Sequence, residues 1–430
     1  MVGQIFIITL YVIVVSISIL IFIQSVYTIA LSIFGYKKPK SYAQHTPESR
    51  FLVMIPACNE EKVISDIIKS LEQVEYPKNL LSIFVIADNC TDRTEEIVKA
   101  YGVNVIRTNS VSGEPHGKPY AIRKALEQLP GYHELYDLFV IFDADNLVSK
   151  NFFAEINSQY IDMNKPEVIQ AYLGCKNMRG VLPYVYYTDY TVTNRFFQAA
   201  RYNTGLNASI GGTGVAVSTQ YLWEKGGWLS SCLTEDFEFQ IHTTIDGGRI
   251  LWNHNARIYD EKPTKVRQCY RQRTRWAQGH WYVAVRNTYG ILRGAFRKTV
   301  KPMEAFTTPL YMYSMSRPLQ IIATLAIILI MVISGESQPI TSDILLVLLN
   351  WVIFSLNIFT VLRFVYFHFV LFPISVWKDN GRIIKVWEIF WAVICQILFI
   401  PISLASQCVG FLRMRRQNVW NKTEHTINVL

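Results

Sequence analysis

The sequence predicts an α/β domain set between membrane-spanning helices. Two observations carry that fold class. Short, wholly apolar runs of strand length alternate with amphipathic helical stretches from residue 51 to residue 142. Near-continuous apolar segments, residues 5–34 and most of 303–412, bracket this region. A third observation narrows the architecture. Acidic residues recur where the apolar runs stop, and in a helix-covered sheet that is the edge where ligands collect.

Residues 5–34 carry no charge and are long enough to cross a hydrocarbon core of roughly 30 Å. The run is too long for a signal-peptide core and lacks a basic leader, so it reads as an uncleaved anchor. Lys37, Lys38 and Lys40 follow it and place residue 36 onward in the cytosol. Residues 51–56 form a buried strand, and Val63, Ile67, Ile68 and Leu71 mark a helix behind it. Residues 81–87 make a second strand that stops at Asp88, followed by a helix at 94–100 and a third strand at 103–106. Gly117-Lys118 precedes a helix at 119–129, and the strand 138–142 ends in Asp143-Ala144-Asp145. This alternation predicts a parallel sheet.

Farther on, 167–173 and 215–217 read as strands and 181–201 as a helix rich in Tyr and Phe. Gly211-Gly212-Thr213-Gly214 is a loop in which backbone can approach a ligand, or a plain turn. Residues 236–244 look helical, a Gly247-Gly248 turn follows, and 249–252 is strand-like. Residues 266–289 are basic and aromatic at helical spacing, as in a helix lying in a membrane interface.

The apolar runs 319–334, 344–362 and 387–412 are of spanning length, and the middle one can continue to residue 377. The loop 335–343 has no Lys or Arg and belongs outside, whereas Lys378, Arg382 and Lys385 belong inside. Counting spans from a cytosolic domain puts the C-terminus outside, yet Arg413, Arg415, Arg416 and Lys422 place it inside. A re-entrant segment, or a span contributed by 364–377, reconciles the two, and a cytosolic tail is expected. The organisation expected is an anchor (1–35), a cytosolic domain (36–265), interfacial helices (266–317), C-terminal spans (318–412) and a basic tail (413–430).

The net charge of +9, from 42 basic and 33 acidic residues, gathers at the ends of the apolar runs. Arg293, Arg297, Lys298 and Lys301 add to the clusters already named. That placement suits anionic headgroups and not nucleic acid. Seven cysteines without C-x-x-C spacing read as reduced thiols, with no zinc site.

Three stretches carry chemistry. Asp143-Ala144-Asp145 offers two hard oxygen donors, the usual protein share of an Mg2+ or Mn2+ site completed by phosphates. Alone, such a pair is better read as a solvated turn; its delivery by a buried strand to the same sheet edge as Asp88 favours the metal. Thr234-Glu235-Asp236 opens a helix, where acids either satisfy free N–H groups or supply a general base. Gln272, Arg273 and Arg275 offer forked donors for a diphosphate leaving group, and Trp276 a flat surface for a sugar ring. An interfacial basic face is the alternative for that cluster.

Taken together, Asp88, Asp143-Ala144-Asp145, Thr234-Glu235-Asp236 and Gln272-Arg273-Thr274-Arg275-Trp276 resemble the D, DxD, TED and QxxRW signatures of membrane-bound family 2 glycosyltransferases. That group includes cellulose, hyaluronan, chitin and poly-N-acetylglucosamine synthases. The resemblance covers about residues 50–285 and implies a GT-A, Rossmann-like domain. It implies Asp88 near the nucleotide base or ribose, and Asp143 and Asp145 at the diphosphate and an Mg2+ or Mn2+ ion. It further implies Asp236, beside Glu235, as catalytic base, Gln272 and Arg275 at the pyrophosphate, and Trp276 under the acceptor sugar, with Arg273 a further substrate-binding candidate. Lys118, in a Gly-Lys pair found in many relatives, is a further nucleotide contact. Ala87-Asp88-Asn89 departs from the common double-Asp form, so Asp88 alone carries over. Residues 420–425 loosely resemble a short C-terminal Trp/Thr motif of some members.

What the resemblance implies is a multi-pass plasma-membrane enzyme. It would polymerise sugar from a UDP-sugar donor, processively and with inversion, into a β-linked glycan and move that glycan across the bilayer. Accessory secretion subunits are candidate partners. The alternative expectation is transfer of one sugar to a lipid-linked acceptor. No motif reports which sugar.

Overall fold

The computed structural model describes residues 2–110, 117–230, 232–314, 355–356 and 358–417. The expected span 319–334, residues 344–354 of the expected span 344–362, the loop 335–343 and the tail motif at 420–425 lie outside the described residues.

Among the described residues, eight strands form one sheet in the order β3-β2-β1-β4-β7-β6-β8-β5. They are β1 (Phe51–Ala57), β2 (Leu81–Asp88), β3 (Asn104–Thr108), β4 (Leu138–Ile141), β5 (Leu147–Val148), β6 (Val168–Cys175), β7 (Val215–Ser218) and β8 (Ile250–Asp260). β1 and β4 are buried almost throughout, because helices cover both faces and no alternate residue meets water. Phe51, Phe139, Phe142, Phe152 and Phe153 pack there with essentially no exposure.

Four of the seven strand pairings are parallel, that of β6 with β8 among them, which corrects the expectation of a parallel sheet drawn from the alternation. β3, β2, β1 and β4 run parallel, whereas β7 is antiparallel to both β4 and β6, and β5 is antiparallel to β8. A strand buried on both faces reads as an apolar run in either direction, so composition cannot report the reversal. The consequence is local. β7 enters from the end of the sheet where β4 stops, and so brings the 211–214 loop to the acidic edge: Gly214 N donates to Ile141 O.

β8 is much longer than the four residues expected. Asn253-His254-Asn255 interrupts its apolar pattern, yet the strand survives by bulging. Its register against β6 shifts between Ala171 and Tyr172, and Asn253 Oδ1 accepts the N–H groups of Asn255 and Ala256. The extension carries Asp260 and Glu261 to the same edge as Asp143 and Asp145.

Helix Val181–Thr193 continues through a π-helical turn, Asn194–Ala199, into Ala200–Asn203. Arg195 on that turn donates from Nε to Asp379 Oδ1 (2.7 Å), which also meets His254 Nε2 at 3.0 Å. The sheet is thereby tied to the end of helix Ile358–Asn380.

Three described helices are long and apolar enough to cross a membrane: Val12–Tyr36, Ile358–Asn380 and Val386–Leu412. They flank the α/β domain, and the stretch 364–377 belongs to the second. Helix Val266–Phe296 is seven residues longer than expected and lies tightly against the last candidate span. A Cβ on Gly410 would stand 2.5 Å from that of Ala277. Beyond this contact, Gln278 Nε2 donates to Arg416 O, and Leu233 N donates to Gln417 Oε1 at 3.0 Å. The start of the tail therefore sits on the α/β domain's side, against the loop that leads into Glu235 and Asp236.

Candidate active site

The strand ends, the glycine loop and two helix segments enclose a cleft of about 320 Å³. Asp88, Asp143, Asp145, Lys118, Glu235, Asp236, Gln272, Arg275 and Trp276 all line it. Residues spread over nearly two hundred positions thus converge at one sheet edge. Arg273 is the exception among the sequence-derived candidates. Its Nε donates to Tyr186 Oη (3.1 Å), and its guanidinium lies over the rings of Tyr186 and Phe399, 4.4 and 5.0 Å from their centroids.

Asp88 ends β2 and is held by Thr108 Oγ1 (2.9 Å) from β3 and by Asn89 Nδ2 (3.0 Å). Beside it, Asn59 takes a positive φ of 56°, and its Oδ1 accepts the N–H groups of Thr91 (2.7 Å) and Asp92 (3.2 Å). Those bonds clamp the ends of β1 and β2 together.

Asp145 is buried, and both its oxygens are held, Oδ2 by the N–H of Glu261 (2.8 Å) and Oδ1 by Asn146 (3.3 Å). Asp143 is more open. Its Oδ1 accepts from Lys118 Nζ at 2.5 Å. Lys118 Nζ also donates to Gly212 O (2.6 Å) and stands 4.0 Å from Glu235 Oε1. Burial alone would lower the lysine's pKa, but Asp143 and Glu235 outweigh it and raise it. Lys118 is a fixed cation.

Glu235 and Asp236 open helix Glu235–Ile245 at the wall facing the glycine loop. Burial pushes the Glu235 carboxyl up to about 7, against Lys118 and with the help of Asp236. Burial also raises Asp236, opposed by the Phe237 N–H, Lys118 and Arg275. Gly279 lets helix Val266–Phe296 approach this helix start, since a Cβ there would lie 2.5 Å from Thr234 Oγ1. That approach brings Arg275 to the cleft. Its Nε is buried and bonds to nothing among the described residues, so it is a donor placed for an anion.

Pattern reading missed several lining residues. Asp260 and Glu261 were hidden by the polar interruption in β8. His280 stacks flat on Phe237 (4.1 Å, 3°), and burial lowers its pKa to about 4, so it is neutral at pH 7. Tyr190 and Tyr311 complete the wall. His280 and Tyr190 follow Gln272 and Tyr186 at helical spacings of eight and four, the one signal that could have found them.

The cleft is strongly acidic. Among the described residues, eight carboxyl groups line it (Glu60, Asp88, Asp143, Asp145, Glu235, Asp236, Asp260 and Glu261) against only Lys118 and Arg275. Asp260 is raised to about 6, by burial against Lys262, with Asp145 and Asp143 adding to the rise. Such a surface repels a diphosphate unless a cation lies between them. Hard carboxylate oxygens on Asp143, Asp145 and Asp260 fit Mg2+ or Mn2+ in chemistry. Among the described residues no three acidic, His or Cys side chains converge as a full ligand set. Donor phosphates would complete the coordination.

The chain is 27% identical over 280 residues to the probable glycosyltransferase YdaM of Bacillus subtilis, covering 62% of this chain and 66% of that protein. It is 26% identical over 249 residues to the beta-monoglucosyldiacylglycerol synthase of a Synechocystis strain, covering 55% of this chain and 49% of the relative. It thus spans between half and just under two thirds of these relatives' length. The mannosyltransferase PcManGT from Pyrobaculum calidifontis, solved with GDP-Man and Mn2+, superposes with a TM-score of 0.58 at 16% identity. That match covers 94% of this chain and 99% of the other, and it establishes a shared fold. The family described as Glycosyltransferase like family 2 matches residues 47–279, more than half of the chain. The chain belongs to that family and has a GT-A fold.

Proposed function

We propose that the protein transfers a sugar, with inversion, from a UDP-sugar to an acceptor hydroxyl reaching the cleft from the membrane side, and that repeated transfer extends a β-linked glycan. The observation that carries this reading is the meeting of Asp236 with the two fixed cations, Lys118 and Arg275, in one cleft whose other wall is Trp276. Asp236 takes the proton of the attacking hydroxyl; its raised pKa makes it a better acceptor than an ordinary aspartate. The hydroxyl attacks the anomeric carbon opposite the leaving UDP. Arg275 donates to the departing diphosphate, and Lys118, braced by Asp143 and Gly212 O, holds its charge nearby. Asp88 binds the nucleoside end, and Gln272, held by the hydroxyl of Tyr186 (2.8 Å), faces the phosphates. Asp143 and Asp145, with Asp260, would hold Mg2+ or Mn2+, which supplies charge neutralisation between the acidic wall and the diphosphate.

Trp276 supports the polymer reading. It stands edge-on to Tyr186, 6.1 Å between centroids, and offers a ring on which an acceptor sugar can rest. Transfer of a single sugar to a lipid is the second reading, favoured by the Synechocystis relative's named activity. The test is to incubate membranes with a panel of labelled UDP-sugars and size the product for wild type and Trp276→Ala. Loss of a stacking surface worth about 1–3 kcal/mol should collapse polymer output while slow donor hydrolysis persists. A wild-type product consisting only of a lipid-soluble monosaccharide adduct would replace the polymer reading with the second. Absence of turnover with every donor would sink both.

A further inference from the structure

Next to Trp276, where the α/β domain meets the candidate spans, lies a charged cluster that the proposed chemistry leaves unused. Arg273 places Nη2 3.9 Å from Asp189 Oδ2, and its guanidinium lies 5.3 Å from the Trp276 ring centroid and 5.0 Å from that of Phe399. Phe399 belongs to the candidate span Val386–Leu412. A second arginine, Arg363, comes from the candidate span Ile358–Asn380, and its charge also acts on Asp189. Arg363 Nε is buried and has no hydrogen-bond partner among the described residues.

The charges do not balance. Arg273 stands within ion-pair distance of Asp189, and the charge of Arg363 acts on the same carboxylate from beyond that distance. Burial lifts Asp189 to about 6 in spite of both arginines. An arginine on a membrane span is costly to keep without an anion, and such residues mark substrate paths. Guanidinium groups are suited to phosphate through forked, charge-assisted hydrogen bonds. The cluster reaches the catalytic cleft through Trp276 on one side and the spans through Phe399 and Arg363 on the other.

We propose that Arg273, Arg363 and Asp189 form a phosphate subsite that selects a membrane phospholipid, carrying a free hydroxyl, as the first acceptor. This rests on the reading that acceptors enter from the membrane, and it names the group that makes one membrane hydroxyl preferred over another. With the lipid phosphate between Arg273 and Arg363, the headgroup hydroxyl extends past Trp276 toward Asp236.

The test uses the full-length enzyme in phosphatidylcholine vesicles containing either phosphatidylglycerol or diacylglycerol. Both lipids carry a hydroxyl, and only the first has a phosphate beside it. With the UDP-sugar that supports turnover, labelled sugar should enter phosphatidylglycerol with a KM lower than that for diacylglycerol by about tenfold or more, the size of one charge-assisted contact. Arg363→Gln should erase that preference by raising the phosphatidylglycerol KM at nearly constant kcat, and Arg363→Lys should restore part of it. A loss of fold would lower kcat on both lipids together, and Arg363→Lys then carries the test. Equal KM values for the two lipids in wild type, or a preference that survives Arg363→Gln, would overturn the proposal. Millimolar inorganic phosphate should leave the preference in place; if it abolishes the preference, the subsite takes free anions and the membrane assignment is wrong. Release of UDP without any lipid preference would sink this inference alone, whereas no UDP release at all would sink the transferase reading beneath it.

Discussion

Gly212→Ala probes the placement of Asp236 without touching a charge. Gly212 has φ +79°, where an L-residue costs on the order of 1 kcal/mol. A Cβ there would lie 3.0 Å from Asp236 Oδ2 and 3.5 Å from its Cγ. The carboxylate must then retreat by a few tenths of an ångström. Since a misplacement of 1 Å costs on the order of a hundredfold in rate, kcat should fall about three- to tenfold. UDP affinity should hardly change, because alanine keeps the carbonyl that accepts from Lys118. Gly205→Ala is the control: φ is +78° there, so the backbone cost is similar, but nothing lies within 4 Å of the new Cβ. Steady-state kinetics and thermal melts on both variants separate the two effects. Both should lose a few degrees of Tm, and only Gly212→Ala should lose kcat. Full turnover in Gly212→Ala would refute the placement of Asp236 as the rate-setting base.

Two further outcomes follow from the same wall. Glu235, raised to about 7 from an ordinary 4.5, contributes stability that is complete below pH 4.5 and lost as pH rises through 7. Glu235→Gln should therefore flatten the fall of Tm between pH 4.5 and 7 and be the more stable protein at pH 8, by about 1–3 kcal/mol; parallel Tm curves would contradict the burial argument. Activity should require Mg2+ or Mn2+, and Asp145→Ala should weaken UDP binding, measured by calorimetry, with metal present but not in EDTA. An equal loss in both conditions would remove Asp145 from the cation's ligands.

Much of the site was legible because sheet topology turns sequence into place. Asp88, Asp143 and Asp145 each follow an apolar run, and parallel neighbours β1, β2 and β4 deliver those run ends to one edge. Glu235 and Asp236 were visible as acids opening a helix. Arg273 and Arg275 looked equivalent in sequence, yet two residues on a helix are separated by about 200°. One therefore faces the cleft and the other the aromatic seam at Phe399, and helical spacing already contained that distinction. The reversed direction of β7 was not legible, because burial on both faces erases the period-2 signal. Asp260 was hidden for a related reason: the bulge at 253–257 is stabilised by Asn253 accepting two backbone N–H groups, an arrangement no apolar pattern announces. The contact between Gln417 and Leu233 joins residues 184 positions apart and follows from the packing of Gly410 against Ala277.

The most direct test of Asp236 as the base is a comparison of sugar transfer and UDP binding in wild type and Asp236→Asn. Loss of a general base should lower turnover by roughly two to four orders of magnitude while the UDP dissociation constant stays nearly constant. A purified Asp236→Asn variant that keeps a third or more of wild-type turnover would contradict the assignment.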